Sequence, residues 1–580
     1  MKKLWGHIIY YREEAMQKTL HKRITVKKKT FYILCLVFSV LGLAGITYGC
    51  SKKSDSSVQS KEINVDVQTV NHKQKDIYTT AYQKESDAKL KSLKSKDDYS
   101  TENPLIIENL YGTNTTSLYY YAKTDQASYA VATIETTDKK SVAYKHTLQT
   151  VSGDKYVKQH EYQIIGLVPN TKNKITMQFF NKKNKPISKT CFYVTTKKDS
   201  SIPKMEKTAT GKSKVKMTDG LFAMMGRDQG ALQNNGKAVD ANVFLWDNNG
   251  VCRGRIPLND YKTDRLLFIK NEMVYSYDIN HLAFVNLLGK VTKTISLGDY
   301  QLHHDFMYDK HTNKILCLVS INSKTTIEDS IISVDATSGQ VKLLLDTEDV
   351  LPNIKNIATQ EENGGLNYSG TTDLDWIHVN SFDFVDDDSL ILSSREQSSL
   401  IKVSNIYEKP ELDYIIHYGT LYKGSGYEDK LLTRKGNLVA PAGQHTVTVE
   451  KDDSLPDGQY YIYMFNNNYG RVTAFPEFDW SSYKDLSPSS NPKTGTSYYS
   501  KYLVDEKNGT YTLAQEFKLP YSSIVSSVQH LDGNIPYSSG RSKIFGEYDK
   551  DGNLIKSFRY DAQQFSYRVL KYNFKGFYFR

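Results

Sequence analysis

From about residue 216 onward the chain repeats one pattern six times, and no other feature constrains its fold so strongly. Each unit is a strand, a turn of Asp, Asn and Gly, a second strand, another tight turn and a third strand. ANVFLWDNNGVCRGRIPL, FVDDDSLILSSREQSSLIKVS and LDGNIPYSSGRSKIFGEYDKDGNLIKSFRY are three instances. The units recur at roughly 35 to 50 residues, stretched by insertions such as SSYKDLSPSSNPKTGTSYYSKY. One such unit cannot bury its apolar face alone. A closed ring of blades buries every face and protects the strand edges, which a long open sandwich would not do. The expected fold is therefore all-β, with a six-bladed β-propeller over residues 216–580.

The first 215 residues are organised differently. A chain of 580 residues calls for two or three domains. Residues 1–29 form a basic tail, and residues 30–50, ending FYILCLVFSVLGLAGITYGC, are long and apolar enough to cross a membrane. Basic residues before this span and the polar SKKSDSS after it orient the rest of the chain outside the cytoplasm. Cys50 resembles a bacterial lipoprotein cleavage site, although Thr47 stands where leucine is usual and Tyr48 is bulky; an uncleaved anchor stays equally open. Met16 is an alternative start. Residues 51–100 read as a flexible spacer with a short helix around AYQKESDAKLKSLKS, and residues 101–198 as an immunoglobulin-like β-sandwich of about seven short strands. Residues 199–215 read as a lysine-rich linker. The formal charge of +10 sits largely in the tail and in lysine-rich stretches before residue 215, with no nucleic-acid motif, so nucleic acid is excluded as a partner. Of five cysteines, Cys191, Cys252 and Cys317 lie beyond the span without CxxC spacing, which argues against a zinc or redox site.

The innermost strand of each blade lines the channel, so its first residues are where chemistry is expected. Aligning units on the aromatic pairs Phe306/Tyr308 and Phe382/Phe384 sets His304 opposite Asn380, on the face that also carries His378. His303 points the other way and reads as a packing residue. His445 begins the corresponding strand of the next blade, and Ser526 takes that place in the last. A lone histidine in a strand is more often packing than chemistry. Three at equivalent points of a repeat, with Asn380 and Arg395 beside them, favour a site. Three histidines can hold a metal, but a cation would repel Arg395, and the guanidinium fork suits a tetrahedral oxyanion. An imidazole beside a bound oxyanion can also act as a nucleophile.

HHDF, DWIHVN, SSREQ, GQHT and YMFNNNYGR, in that order, resemble the PAPS-independent aryl-sulfate sulfotransferases of bacteria over roughly residues 100–580. The resemblance implies a small β-domain joined to a six-bladed propeller. It implies that His445 takes the sulfuryl group from an aryl sulfate as a sulfohistidine and passes it to an acceptor phenol. It makes His378 and Asn380 ligands of the sulfate or phenolic oxygen, Arg395 the sulfate clamp, and His304, or alternatively His303, a ligand and candidate acid/base. It implies no metal and no cofactor, small-molecule phenolic partners and attachment to the membrane, with a homodimer left open. No cysteine pair brackets the site, so no disulfide carries over. Three other readings stay in play: a propeller that only binds sulfated or anionic ligands, a metal-dependent hydrolase using the three histidines, and a structural surface protein.

Overall fold

The computed structural model describes residues 58–580 except 71–72, 138, 140, 228–240, 260–262, 360–371, 471 and 563–564. The expected tail, the span over 30–50 and Cys50 therefore lie outside the described residues. Among the described residues no helix is long and apolar enough to cross a membrane. Residues 60–580 form one compact unit.

Six sheets make the propeller. Blades two to four each hold four antiparallel strands in sequence order, beginning with Leu267–Ile269, Tyr300–Asp309 and Val379–Phe384 at the channel. Blade five begins with His445–Glu450 and blade six with Ser527–Val528. Blade one is built from both ends of the propeller. Its outer strands are Leu221–Arg227, Asn242–Trp246 and Cys252–Pro257, whereas its channel strand is Ser566–Tyr572, near the end of the chain. Alternation along the strands sends apolar side chains into the inter-blade cores, such as Ile315, Cys317, Val319, Ile332 and Val334 between blades two and three.

Two expected segment boundaries are corrected. The linker over 199–215 contains the strand Lys204–Thr210, which pairs with Leu554–Asp561 and becomes the outer edge of blade six. Only Met205 and Ala209 of this edge strand are part-buried, Met205 against the blade core, a short pattern that the surrounding charge conceals. The spacer over 51–100 is likewise ordered where it is described. The expected short helix spans Thr80–Lys94, capped by Thr79, and buries Tyr82, Leu90 and Leu93. Just before it, Tyr78 stacks on Tyr277 of blade two at 4.1 Å and donates to the Pro257 carbonyl at 2.6 Å. The spacer thus becomes a wedge between the two domains.

The N-terminal domain is a single eight-stranded sheet folded over its own core. Strand Leu118–Thr136, 19 residues long, pairs with Val157–Ile164 along its first half and with Lys172–Asn181 along its second, so it passes from one layer to the other. Arg253 of blade one, fully buried, joins the domains: it pairs with Asp247 at 2.8 Å and donates to the carbonyls of Gly166 and Val142.

Deleting residues 204–210 is expected to leave the edge of blade six unpaired. Calorimetry should show a lower melting temperature and light scattering should show aggregation, whereas a chain begun at residue 60 should keep both properties of the full unit.

Candidate active site

At one end of the channel the innermost strands start with a kink rather than a regular pleat. His304, His378, Thr446 and Ser526 hold left-handed φ of +56°, +47°, +53° and +98°. The pairing of the strands slips at the same places, between Leu302 and Phe306, Val379 and Ser381, and His445 and Thr448. Such φ values are strained for residues other than glycine, and they break the two-residue alternation of a strand. Here the structure departs from the expected faces. His303 does not turn away: its Nδ1 lies 2.9 Å from Nδ1 of His304, and both rings belong to the cluster. His378 and Asn380 do not look at the same groups. His378 turns toward blade three, while Asn380 donates from Nδ2 to the Gln444 carbonyl at 2.7 Å and so ties down the loop that carries His445.

The rings nevertheless converge. His304 lies edge-on to His378 at 4.9 Å and to Tyr567 at 5.3 Å, and Tyr567 in turn lies 6.3 Å from His445. Tyr567 comes from the closing strand of blade one and donates to the Asn380 carbonyl at 3.2 Å. All four imidazoles are buried.

His445 is fixed in one tautomer. Its Nδ1 faces the carbonyl of Gly443 at 2.9 Å and Oδ1 of Asn467 at 2.7 Å, both acceptors, so Nδ1 carries the proton. The Asn467 amide cannot be turned round, because its Nδ2 donates to the carbonyls of Ser522 and Val525 at 2.8 and 3.0 Å. Gly443 supplies the turn that brings its carbonyl to the ring, at φ of +62°. The lone pair of His445 is therefore on Nε2. Burial, the largest influence, pushes the pKa of His445 down to about 3, and the charges of His378 and Arg395 act in the same direction. Near neutral pH the ring is an uncharged base.

His378 is the opposite case. Its Nδ1 lies 2.7 Å from Asp375 Oδ2 and 2.5 Å from Glu328 Oε2. Burial and then Arg395 oppose protonation, but the two carboxylates outweigh them and raise the pKa of His378 to about 9. Glu328 in turn is held down to about 2, because the attraction of His378 overcomes burial, whereas burial dominates at Asp375 and lifts it to about 6. Two imidazoles of one cluster thus sit in different protonation states, one a base and one an acid.

Arg395 opens the turn after Leu390–Ser394 and donates its backbone N–H to the His378 carbonyl at 3.1 Å. Its guanidinium is held by Glu396 and lies 3.5 Å from Asp375. The other oxygen of Glu396 accepts from the backbone N–H of Thr473 at 2.7 Å. Beside His304, Asp305 receives Arg265 at 2.9 and 3.1 Å and Arg568 at 2.9 Å, which fixes the middle of strand Tyr300–Asp309. Ser526 accepts from the Gly540 N–H at 3.1 Å and so anchors a turn of blade six. Among the described residues two buried sets have ligand atoms close enough for a metal ion: His303, His304 and Glu328, and Glu328, Asp375 and His378. Both share Glu328, whose charge already balances His378.

Sequence reasoning passed over Glu328, Asp375, Glu396, Asn467 and Tyr567. Asp375 and Glu396 stand inside the motifs DWIHVN and SSREQ, and Asn467 inside YMFNNNYGR, so the signal was present. Glu328 lies in a loop and Tyr567 on the strand that closes the ring, where no repeat position marks them.

The fold and site define a six-bladed propeller with four buried histidines and Arg395 gathered at one mouth of its channel. The Arylsulfotransferase (ASST) family model matches residues 206–577, and the Arylsulfotransferase Ig-like domain matches residues 105–197. The chain belongs to the arylsulfotransferase family, and aryl sulfotransfer, from an aryl sulfate to a phenol, is the activity that this membership supports. No curated protein matches the chain. Among solved structures it is similar to a putative 6-phosphogluconolactonase from Bacteroides uniformis (10% identity, 77% of this chain and 99% of that one, TM-score 0.32). It is also similar to BamB from Moraxella catarrhalis (12%, 63% and 92%, TM-score 0.27). Superpositions this loose carry no argument about activity.

Replacing Asn467 by Leu should free the His445 tautomer and lower turnover roughly 10²-fold. Asn467→Asp should keep an acceptor and raise the His445 pKa, so the acid limb of the pH–rate profile should move to higher pH. Turnover of the unaltered protein should fall as pH rises through about 9, where His378 loses its proton; His378→Gln should be slower and lack that limb. The same proton contributes stability fully below the unfolded histidine pKa, and this is lost as pH rises through about 9, so melting temperatures of the unaltered protein and His378→Gln should converge there.

Proposed function

We propose that the protein moves a sulfuryl group from an aryl sulfate to an acceptor phenol in two displacements through a sulfohistidine at His445, without PAPS. The observation that carries this reading is the Asn467–His445 bond, which leaves the Nε2 lone pair available while His378 nearby holds a proton. In the first step Nε2 attacks sulfur, the bond from sulfur to the aryl oxygen breaks, and the phenolate takes the proton of His378. In the second step the acceptor phenol returns a proton to His378 as its oxygen attacks sulfur and the bond from sulfur to Nε2 breaks. Arg395 offsets the charge on the sulfuryl oxygens, and His304 and His303 supply further hydrogen bonds. A loose transition state of this kind gains most from positioned donors. The aryl sulfate is itself the activated donor, so the cycle calls for neither a nucleotide nor a metal.

The same reading places the protein at the outer face of a membrane, held by residues 30–50 either as an uncleaved anchor or through a lipid on Cys50. Detergent partitioning and the mass of the N-terminal peptide separate these two forms.

The test follows nitrophenolate release from p-nitrophenyl sulfate with and without added phenol. Phenol should stimulate release, His445→Ala should abolish it, and trapped protein should gain the mass of one sulfuryl group. Release that ignores phenol and stops with a chelator would instead mean a metal hydrolase. No release from a panel of aryl sulfates would leave a binding module.

A further inference from the structure

The N-terminal domain carries a surface that the chemistry of the channel does not use. The hairpin between strands Lys172–Asn181 and Pro186–Thr195 reads NKKNKP and exposes Lys182, Lys183 and Lys185. It is built rather than loose: Oδ1 of Asn181 accepts from the backbone N–H groups of Lys183 and Lys185 at 3.0 and 3.1 Å, and Asn184 takes the left-handed φ of +56°. Beside it Phe180 stacks on Tyr129 at 5.1 Å, and Tyr156 meets Tyr129 edge-on at 5.9 Å. The Lys155 ammonium lies 5.2 and 5.3 Å from the two tyrosine rings. All three rings are part-exposed. At this end of the domain Asp98 and Glu102 are paired with Lys123 and Lys61. Lys155, Lys158, Lys182, Lys183 and Lys185 are exposed in the two turns that carry these rings.

The chain also enters here. Lys61–Glu62 runs parallel to Pro186–Thr195 with Lys61 opposite Thr190, so the polypeptide arrives from the side of the lysine hairpin. Ten residues, 51–60, separate Lys61 from the expected span, and ten extended residues reach at most about 35 Å.

From these observations we infer that the lysine and aromatic tip at residues 155–158 and 180–185 docks on an anionic lipid bilayer, as a second contact beside the N-terminal span. Lysines are drawn to anionic headgroups, and amphipathic rings settle at the boundary between headgroup and hydrocarbon. A soluble polyanion would use the lysines but has no apolar layer for Phe180, Tyr129 and Tyr156. The choice of a bilayer rests on the reading of residues 30–50 as a membrane span.

The test uses the compact unit 60–580, which lacks the span, with vesicles of phosphatidylcholine alone or with 30% phosphatidylglycerol. Cosedimentation with the anionic vesicles only, reversed by high salt, is expected. The triple variant Lys182→Gln, Lys183→Gln, Lys185→Gln should bind on the order of a hundredfold more weakly. Tyr156→Ala should weaken binding at low salt as well, with melting temperature and aryl-sulfate turnover unchanged in both variants. No binding to anionic vesicles, or binding that the lysine substitutions leave intact, would overturn the inference. Full binding by Tyr156→Ala together with capture of long-chain polyphosphate would assign the tip to a soluble polyanion instead. Carbonate extraction of the full chain tests the span separately, so the two readings fail independently.

Discussion

Everything in the propeller depends on one pairing, that of Ser566–Tyr572 with Leu221–Arg227. A ring of blades held only by packing could open at its seam, and backbone hydrogen bonds between the two ends of the propeller prevent this. The strand that closes the ring also furnishes the site. Tyr567 forms the wall between His304 and His445, and Arg568 anchors Asp305 next to the histidines. Closure and chemistry are therefore a single event: an open ring has neither a channel nor a complete set of groups around it. The strand Lys204–Thr210 adds a second overlap at the outer edge of blade six, so the seam is sewn on both margins.

Within that ring the site works by keeping two similar side chains unalike. His445 and His378 are both buried, and burial alone would leave both uncharged. Glu328 and Asp375 reverse this for His378, while His445 is given only neutral acceptors, Gly443 and Asn467. A proton is thus stored on the ring with carboxylate partners and excluded from the ring that has none. The His445 partner is itself tied, Asn467 by two carbonyls, and the surroundings are held as well: Asn380 by Gln444, and Glu396, the partner of Arg395, by the backbone at Thr473.

Much of this was legible in the sequence, and the part that was not has a physical reason. The repeat announced six blades because turn residues and alternating strands recur roughly every 35 to 50 residues, and His445, His378 and His304 stood at equivalent repeat positions, with Arg395 beside them. The faces of His303 and Asn380 were misjudged because alternation assumes a regular pleat, and the left-handed residues at His304 and His378 end it. Lys204–Thr210 was read as a linker since a short edge strand with lysines on its open face has the composition of solvated chain. Residues 73–94 were read as spacer because Ile77, Tyr78 and Tyr82 are too few to make a periodic pattern, although they seat firmly against a neighbour that the sequence does not display.

The four kinks at the mouth bear on how such a protein can be altered. Left-handed φ costs an L-residue about 1–2 kcal/mol, and glycine would take the same conformation without that penalty. An engineer seeking heat tolerance would find these positions among the first candidates, since they are strained and close to regular sheet. Yet His304 and His378 are themselves part of the cluster, and Thr446 holds the N–H of Val528 through its hydroxyl at 3.2 Å. Relaxing the backbone there would remove the side chains for which the strain is maintained. Durability in this fold has to be sought at the outer strands and the seam, leaving the mouth as the least editable part of the molecule.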